Sequence, residues 1–238
     1  MKIGVFDSGI GGLTVLNEVR KLLPQYDYIY YGDTMNNPYG NKNEEELFLI
    51  TLKIVDFLII KGCKLIIIAC NTATTRCRKK LMEIYPDIVF VGVVPAIKVA
   101  CDNNYKNILV LATPSTVSSD RVSEIIDSNK KIDQQIHLVS CDGLANAIEN
   151  NDYKLVDELL YYYCGEYINM NIDCIVLGCT HYPLIEGNIQ MIFPTVKIVN
   201  GNLGVAKEVE RQLNNFNISN NDCLGTLVVY NSLVDKSV

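Results

Sequence analysis

Two cysteines stand where a thiol could do chemistry. Cys70 follows the apolar run Leu65-Ile66-Ile67-Ile68-Ala69 and precedes Asn71-Thr72-Ala73-Thr74. Cys179 follows Ile175-Val176-Leu177-Gly178 and precedes Thr180-His181-Tyr182-Pro183. In both, a small residue comes before the cysteine and hydrogen-bonding residues come after it. A thiol titrates near ~8.5 unperturbed, and a helix N-terminus or a suitable neighbour lowers that value. Each cysteine can therefore act as thiolate base or thiol acid near neutral pH. Two such groups on opposite sides of one carbon could take a proton from one face and return one to the other. Asp7 ends the first apolar run and could orient Cys70 or accept its proton; His181 and Glu149 are the corresponding candidates for Cys179. The remaining cysteines weighed, Cys63, Cys77, Cys101, Cys164, Cys174 and Cys223, read as small buried hydrophobes, and His137 reads as structural.

Two further segments could bind an anion. Asp7-Ser8-Gly9-Ile10-Gly11-Gly12 is a Gly-rich strand-to-helix turn of the kind that aims backbone N–H groups at negative charge. It serves equally well as a tight packing turn, and it matches neither the Walker pattern nor the dinucleotide fingerprint. Gly32-Asp33-Thr34 and Pro38-Tyr39-Gly40 form a polar loop in which Tyr39 lines or covers a pocket. No Lys or Arg stands in these motifs. Any anion they hold must be met by N–H, amide and hydroxyl donors.

The elements that must position these residues alternate along the chain. Short apolar runs at 3–6, 28–31, 65–69, 90–94, 108–111, 136–140, 172–177 and 196–199 suit parallel strands buried on both faces. Helical patterns lie between them. Asn43 with Glu46 resembles a capping box, Leu47, Ile50, Ile54, Val55 and Leu58 fall on one face, and Gly62 is a stop. Further helices are expected at 122–126, 154–167 and 204–213. An offset near ~107 maps Asp7 onto Thr113 and Cys70 onto Cys179, which points to internal duplication. The expected fold is α/β: two similar domains with mainly parallel sheets, pseudo-twofold related, with the active site in the cleft between them. The domains are placed at 1–96 and 97–207, with 208–238 packing back on the first.

Bulk properties narrow the class. The chain has 238 residues and a formal charge of −6, which argues against nucleic acid as a partner. Its cysteines are odd in number and form no regular framework, so a reducing, cytoplasmic compartment is expected. The start Met1-Lys2-Ile3-Gly4-Val5-Phe6-Asp7 is too soon interrupted for a signal peptide. The most apolar stretch, 54–60, contains Asp56 between Lys53 and Lys61, so no membrane span is expected.

Phe6 to Val15, Gly32-Asp33-Thr34 with Pro38-Tyr39-Gly40, Cys70 to Thr74, Val91-Gly92-Val93 with Pro95-Ala96, and Leu177 to Pro183 together resemble the motifs of the aspartate/glutamate racemase family, in order and over roughly residues 1 to 210. Within it the likeness is to the glutamate racemases. The resemblance implies interconversion of L- and D-glutamate for peptidoglycan synthesis, without cofactor or metal, in a cytoplasmic homodimer. It implies that Cys70 and Cys179 exchange the α-proton, with Asp7 assisting the first and His181 and Glu149 the second. Ser8, Asn71, Thr72 and Thr180 would hold the amino and carboxylate groups, and Pro38-Tyr39-Gly40 the side-chain carboxylate. The chain departs from the family at Cys141-Asp142-Gly143, at Val199 to Asn202, and at Leu227 to Ser232, where Thr-Gly-Asp is usual. Some relatives carry an N-terminal extension linked to activation by a wall precursor; a chain beginning at its first strand is not expected to share that control. Three readings remain beside it. One is an aspartate or other amino-acid racemase with the same thiols. Another is a thiol hydrolase or acyl transferase using Cys179 with His181, and the last is a non-catalytic anion-binding module. A metal site from Cys70, Cys179 and His181 resembles no zinc spacing.

Overall fold

The computed structural model describes residues 1–216 and 223–234. The chain forms two compact units, one of Met1–Val93 with the described residues from Asn202 on, the other of Val94–Gly201. In chain order the first unit contains β1 (Lys2–Asp7), α1 (Gly12–Leu22), β2 (Asp27–Gly32), α2 (Glu44–Ile60), β3 (Cys63–Ile68), α3 (Asn71–Ile84) and β4 (Val89–Gly92). The second contains α4 (Ile97–Asp102), β5 (Asn107–Ala112), α5 (Pro114–Val117), α6 (Asp120–Asn129), β6 (Gln135–Ser140), α7 (Leu144–Glu149), α8 (Tyr153–Cys164), β7 (Cys174–Gly178), α9 (Glu186–Ile192) and β8 (Lys197–Asn200). The chain then returns to the first unit as α10 (Asn202–Leu213) and β9 (Leu227–Asn231).

Both sheets are parallel throughout. Their orders are β4-β3-β1-β2-β9 and β6-β5-β7-β8. Read from the other edge, the second is β8-β7-β5-β6, which repeats the first four strands of the first sheet in the same sequence order. The register refines the repeat by one residue. Asp7 pairs with Gly32 at the end of β1, and Ala112 pairs with Ser140 at the end of β5. Ala112, not Thr113, is therefore the counterpart of Asp7.

Alternation along buried strands feeds two cores per unit. In the first, Ile3, Val5, Tyr28, Tyr30, Leu65 and Ile67 pack against Val15, Leu16 and Val19 of α1 and Val205, Ala206 and Val209 of α10. Phe6, Ile29, Tyr31, Ile66 and Ile68 point the other way, onto α2 and α3. In the second unit Leu109, Leu111, Ile175 and Leu177 meet α7, α8 and α9, while Ile108, Val110, Cys174 and Val176 meet α4 and α6. The N-terminus of α2 forms as its sequence suggests: Asn43 Oδ1 accepts from Glu46 N at 2.8 Å, three glutamates occupy the first turn, and Gly62 follows at φ +92°. Among the described residues no helix is long and apolar enough to cross a membrane.

Two features differ from the sequence expectations. Leu227–Asn231 is the edge strand β9, hydrogen-bonded parallel to β2. Cys223 is exposed, unlike the buried Cys63, Cys77, Cys101, Cys164 and Cys174. Its neighbours Asp222, Leu224 and Gly225 give it no apolar run to be buried with.

Candidate active site

Each unit delivers one cysteine from the C-terminal end of a central strand. This is the end of a parallel sheet where ligands bind. Cys70 follows β3 and is the residue before α3, so it sits at the N-terminus of a 14-residue helix, where negative charge is favoured. Ala69 N donates to Phe6 O at 2.8 Å, which holds this strand end beside that of β1, where Asp7 lies. Asp7 is fully buried, and its Oδ2 accepts from Gly12 N at 2.7 Å. Ser8, Asn71 and Thr72 are also buried. The amide nitrogen of Asn71 has no hydrogen-bond partner, the one such buried side-chain atom among the described residues.

The Gly-rich turn is shaped by close approach. A Cβ on Gly12 would lie 2.5 Å from Asp7 Cβ and 2.8 Å from Tyr30 Oη. The Tyr30 hydroxyl in turn donates to Gly9 O at 2.5 Å, which fixes the turn from below. Gly12→Ala is therefore expected to displace Asp7 and to cost about 1–3 kcal/mol, read as a lower urea midpoint at unchanged slope. An unchanged midpoint would show that the turn has slack.

The loop after β2 holds Tyr39 inside the first unit. Tyr39 is buried, and its hydroxyl donates to Asp33 Oδ2 at 2.8 Å. Asn36 Nδ2 donates to both oxygens of Asp33 at 3.0 Å. Burial pushes the Tyr39 phenol well above its usual range, and the nearby charges of Asp33, Cys70 and Asp7 push the same way. Tyr39 is thus a neutral phenol near Cys70 and Asp7, with its one proton donated to Asp33. Pro38 and Gly40, on either side, are half-buried.

In the second unit the small residue before the cysteine has a steric cause. A Cβ on Gly178 would come 2.8 Å from Ala112 Cβ and 3.0 Å from Leu111 O. Beyond it Cys179, Thr180 and His181 are buried. Cys179 Sγ lies 3.8 Å from His181 Nδ1, and His181 Nε2 lies 2.7 Å from Glu149 Oε2. Glu149, the last residue of α7, keeps only 6% of its side chain exposed. A carboxylate at Nε2 favours the tautomer with its proton there, leaving Nδ1 to take a proton from the thiol. Tyr182, fully buried, donates to Cys141 O at 3.3 Å and closes this side.

The same strands carry cysteines at their other ends. Cys63 begins β3 and Cys174 begins β7. Burial pushes their thiols up to about 11 and about 12, and that of Cys164 to about 12. Burial thus favours the protonated thiol at all three.

The structure brings Asp7, Ser8, Tyr39, Cys70, Asn71 and Thr72 together in the first unit, and Glu149, Cys179, Thr180 and His181 in the second. Sequence reasoning placed Gly12 in an anion-binding turn and Asp33 in a polar loop without a task of its own, and gave no role to Tyr30 or Tyr182. The Gly32-Asp33-Thr34 turn was a usable signal for Asp33, since a carboxylate at a strand end must find donors. Nothing in the sequence marks Tyr30 as the clamp on Gly9.

Two α/β units of one strand order, each with a buried cysteine at the same strand end and a carboxylate in its unit's polar cluster, define a class of duplicated parallel-sheet proteins. The sequence model of Asp/Glu/Hydantoin racemase matches residues 14–208. A glutamate racemase from Clostridium botulinum (strain Langeland) is 39% identical over 99% of this chain and 93% of its own length. Two solved structures are similar over 99% of this chain. One is glutamate racemase from Francisella tularensis subsp. tularensis SCHU S4 in complex with D-glutamate, 30% identical, TM-score 0.84, covering 89% of that chain. The other is Escherichia coli glutamate racemase in complex with L-glutamate and the activator UDP-MurNAc-ala, 28% identical, TM-score 0.84, covering 90% of that chain. The chain belongs to the Asp/Glu/Hydantoin racemase family.

Proposed function

We propose that this chain is a glutamate racemase that needs no cofactor and inverts the α-carbon with two thiols. The observation that carries this reading is the repeat: β3 and β7 occupy the same place in the same strand order, and each is followed closely by a buried cysteine. One thiolate removes the α-proton and the opposite thiol supplies one to the other face. Which cysteine acts as base depends on the enantiomer bound.

The surroundings of the two thiols differ in a useful way. Asp7 assists Cys70, and His181 backed by Glu149 assists Cys179. Ser8, Thr72 and Thr180 bind the amino and α-carboxylate groups. The unpartnered Asn71 amide joins them, because a buried donor left unsatisfied costs about 1–3 kcal/mol and a bound carboxylate oxygen recovers it. The Pro38-Tyr39-Gly40 loop receives the side-chain carboxylate. Uncharged donors neutralise these anions and stabilise the carbanion-like transition state by hydrogen bonding in a dry site. The D-glutamate formed supplies peptidoglycan, and the enzyme works as a cytoplasmic homodimer.

The chain Cys179–His181–Glu149 would also suit a thiol hydrolase, but that reading leaves Cys70, Asp7 and Asn71 without a task. Incubation with each enantiomer of glutamate and aspartate in deuterated water separates the readings. Racemisation of glutamate with deuterium gained at the α-carbon, and no added cofactor, is the expected result. Faster turnover of aspartate would reassign the substrate, and absence of racemisation with hydrolysis of thiol or oxygen esters would favour the hydrolase.

A further inference from the structure

We propose that Ser232, with Asn231, is a positioning residue for the Tyr39 loop, acting from the C-terminal edge strand. The inference rests on the reading of that loop as the receiver of the substrate's side-chain carboxylate. Thr34–Asn36 forms a single 3-10 turn between β2 and Tyr39. The first N–H groups of such a turn need acceptors, and an aspartate just before it commonly supplies one. Asp33 stands in that place but makes no side-chain cap. Its carboxylate is turned instead onto the Tyr39 hydroxyl and the Asn36 amide.

The missing cap comes from nearly 200 residues away in sequence, as the separation |i−j| of 197 records. Ser232 Oγ accepts from Met35 N at 2.8 Å, and Ser232 N donates to Gly32 O at 3.0 Å. Asn231 Nδ2 donates to Thr34 Oγ1 at 3.1 Å, while its Oδ1 accepts from Leu233 N at 2.9 Å. The pairing of Asn231 with Gly32 in the β2–β9 register brings both side chains over the turn. Ser232 is buried there. The division of labour is therefore clear. Ser232 caps the turn in trans, and Asp33 remains free to hold Tyr39 beside Cys70 and Asp7. Without the serine oxygen, Met35 N competes for the Asp33 carboxylate, and Tyr39 loses its anchor.

Ser232→Ala and Ser232→Thr test this in the full chain, by hydrogen exchange of the 33–41 segment and by racemase kinetics. Ser232→Ala is expected to raise exchange in that segment and to raise the glutamate KM about two- to tenfold with kcat nearly unchanged, the scale of one lost hydrogen bond. Ser232→Thr, which keeps the oxygen, restores both. A Ser232→Ala protein with wild-type exchange in 33–41, or with unchanged KM in an active enzyme, overturns the proposal. If the wild-type protein does not racemise glutamate, the functional reading fails on its own, and the exchange result alone decides whether Ser232 holds the loop.

Discussion

Cys70→Ser and Cys179→Ser are each expected to lower racemisation of glutamate by at least about 10³-fold while the protein stays folded, as judged by circular dichroism. General acid/base groups contribute about 10²–10⁴ in rate, and a serine hydroxyl neither ionises near neutral pH nor gives up its proton readily. The isotope pattern is more informative than the loss of rate. In each variant one thiol remains. It can still remove the α-proton of the enantiomer it faces and return a deuteron to the same side. In deuterated water each variant should therefore exchange one enantiomer slowly without inverting it, and the two variants should select opposite enantiomers. Exchange of the same enantiomer by both would place the thiols on one face and remove the mechanism. Cys164→Ala is the control. Its thiol is held up to about 12 by burial, so its loss should affect stability and leave the isotope pattern alone.

The contrast among cysteines shows what was readable beforehand. Cys70 and Cys179 stood out because apolar runs end at them and polar residues begin. That boundary marks the C-terminal end of a buried strand, whatever the tertiary structure. The strands themselves were legible for the same reason, since a parallel strand covered on both faces must be continuously apolar. Helix α3 was not read as one, because Asn71-Thr72-Ala73-Thr74-Thr75 has weak helix propensity and is held by the packing of Cys77 and Leu81. Strand β9 carries an apolar run like those of the other strands, Leu227-Val228-Val229-Tyr230, which stood out only as a departure from the family. What had no local signature is its place at the sheet edge, set by hydrogen bonds to β2. Ser232 shares that obscurity, because its partner Met35 lies far along the chain and local spacing carries no record of it. Asp33 differs, since its partners Asn36 and Tyr39 are close in sequence. Glu149 was a candidate from its residue type, and the family resemblance strengthened it, because no periodicity joins it to His181 across a separation of 32 residues.

Removing the relay behind Cys179 should slow the enzyme without abolishing it. His181→Asn is expected to reduce kcat/KM about 10²-fold, and Glu149→Gln about 10- to 100-fold, the worth of a buried hydrogen bond to a charged group. The double variant should be little worse than His181→Asn, because Glu149 acts only through the imidazole it orients. Thermodynamics constrains how the defect can appear. The two enantiomers have equal free energy, so kcat/KM must fall by the same factor from either direction, even though only one thiol is impaired. The asymmetry must show instead in isotope effects. Where Cys179 is the base, breaking the α-carbon bond becomes more limiting, and the α-deuterium effect rises. Where Cys179 is the acid, proton delivery limits, and the solvent effect rises in its place. The enantiomer showing the larger α-deuterium effect should be the one that the Cys70→Ser variant exchanges, since both experiments report the face served by Cys179. Equal α-deuterium effects for both enantiomers in His181→Asn would mean that the imidazole acts on the whole site and not on one sulfur, and the 3.8 Å approach of Nδ1 to Sγ would have no part in proton transfer.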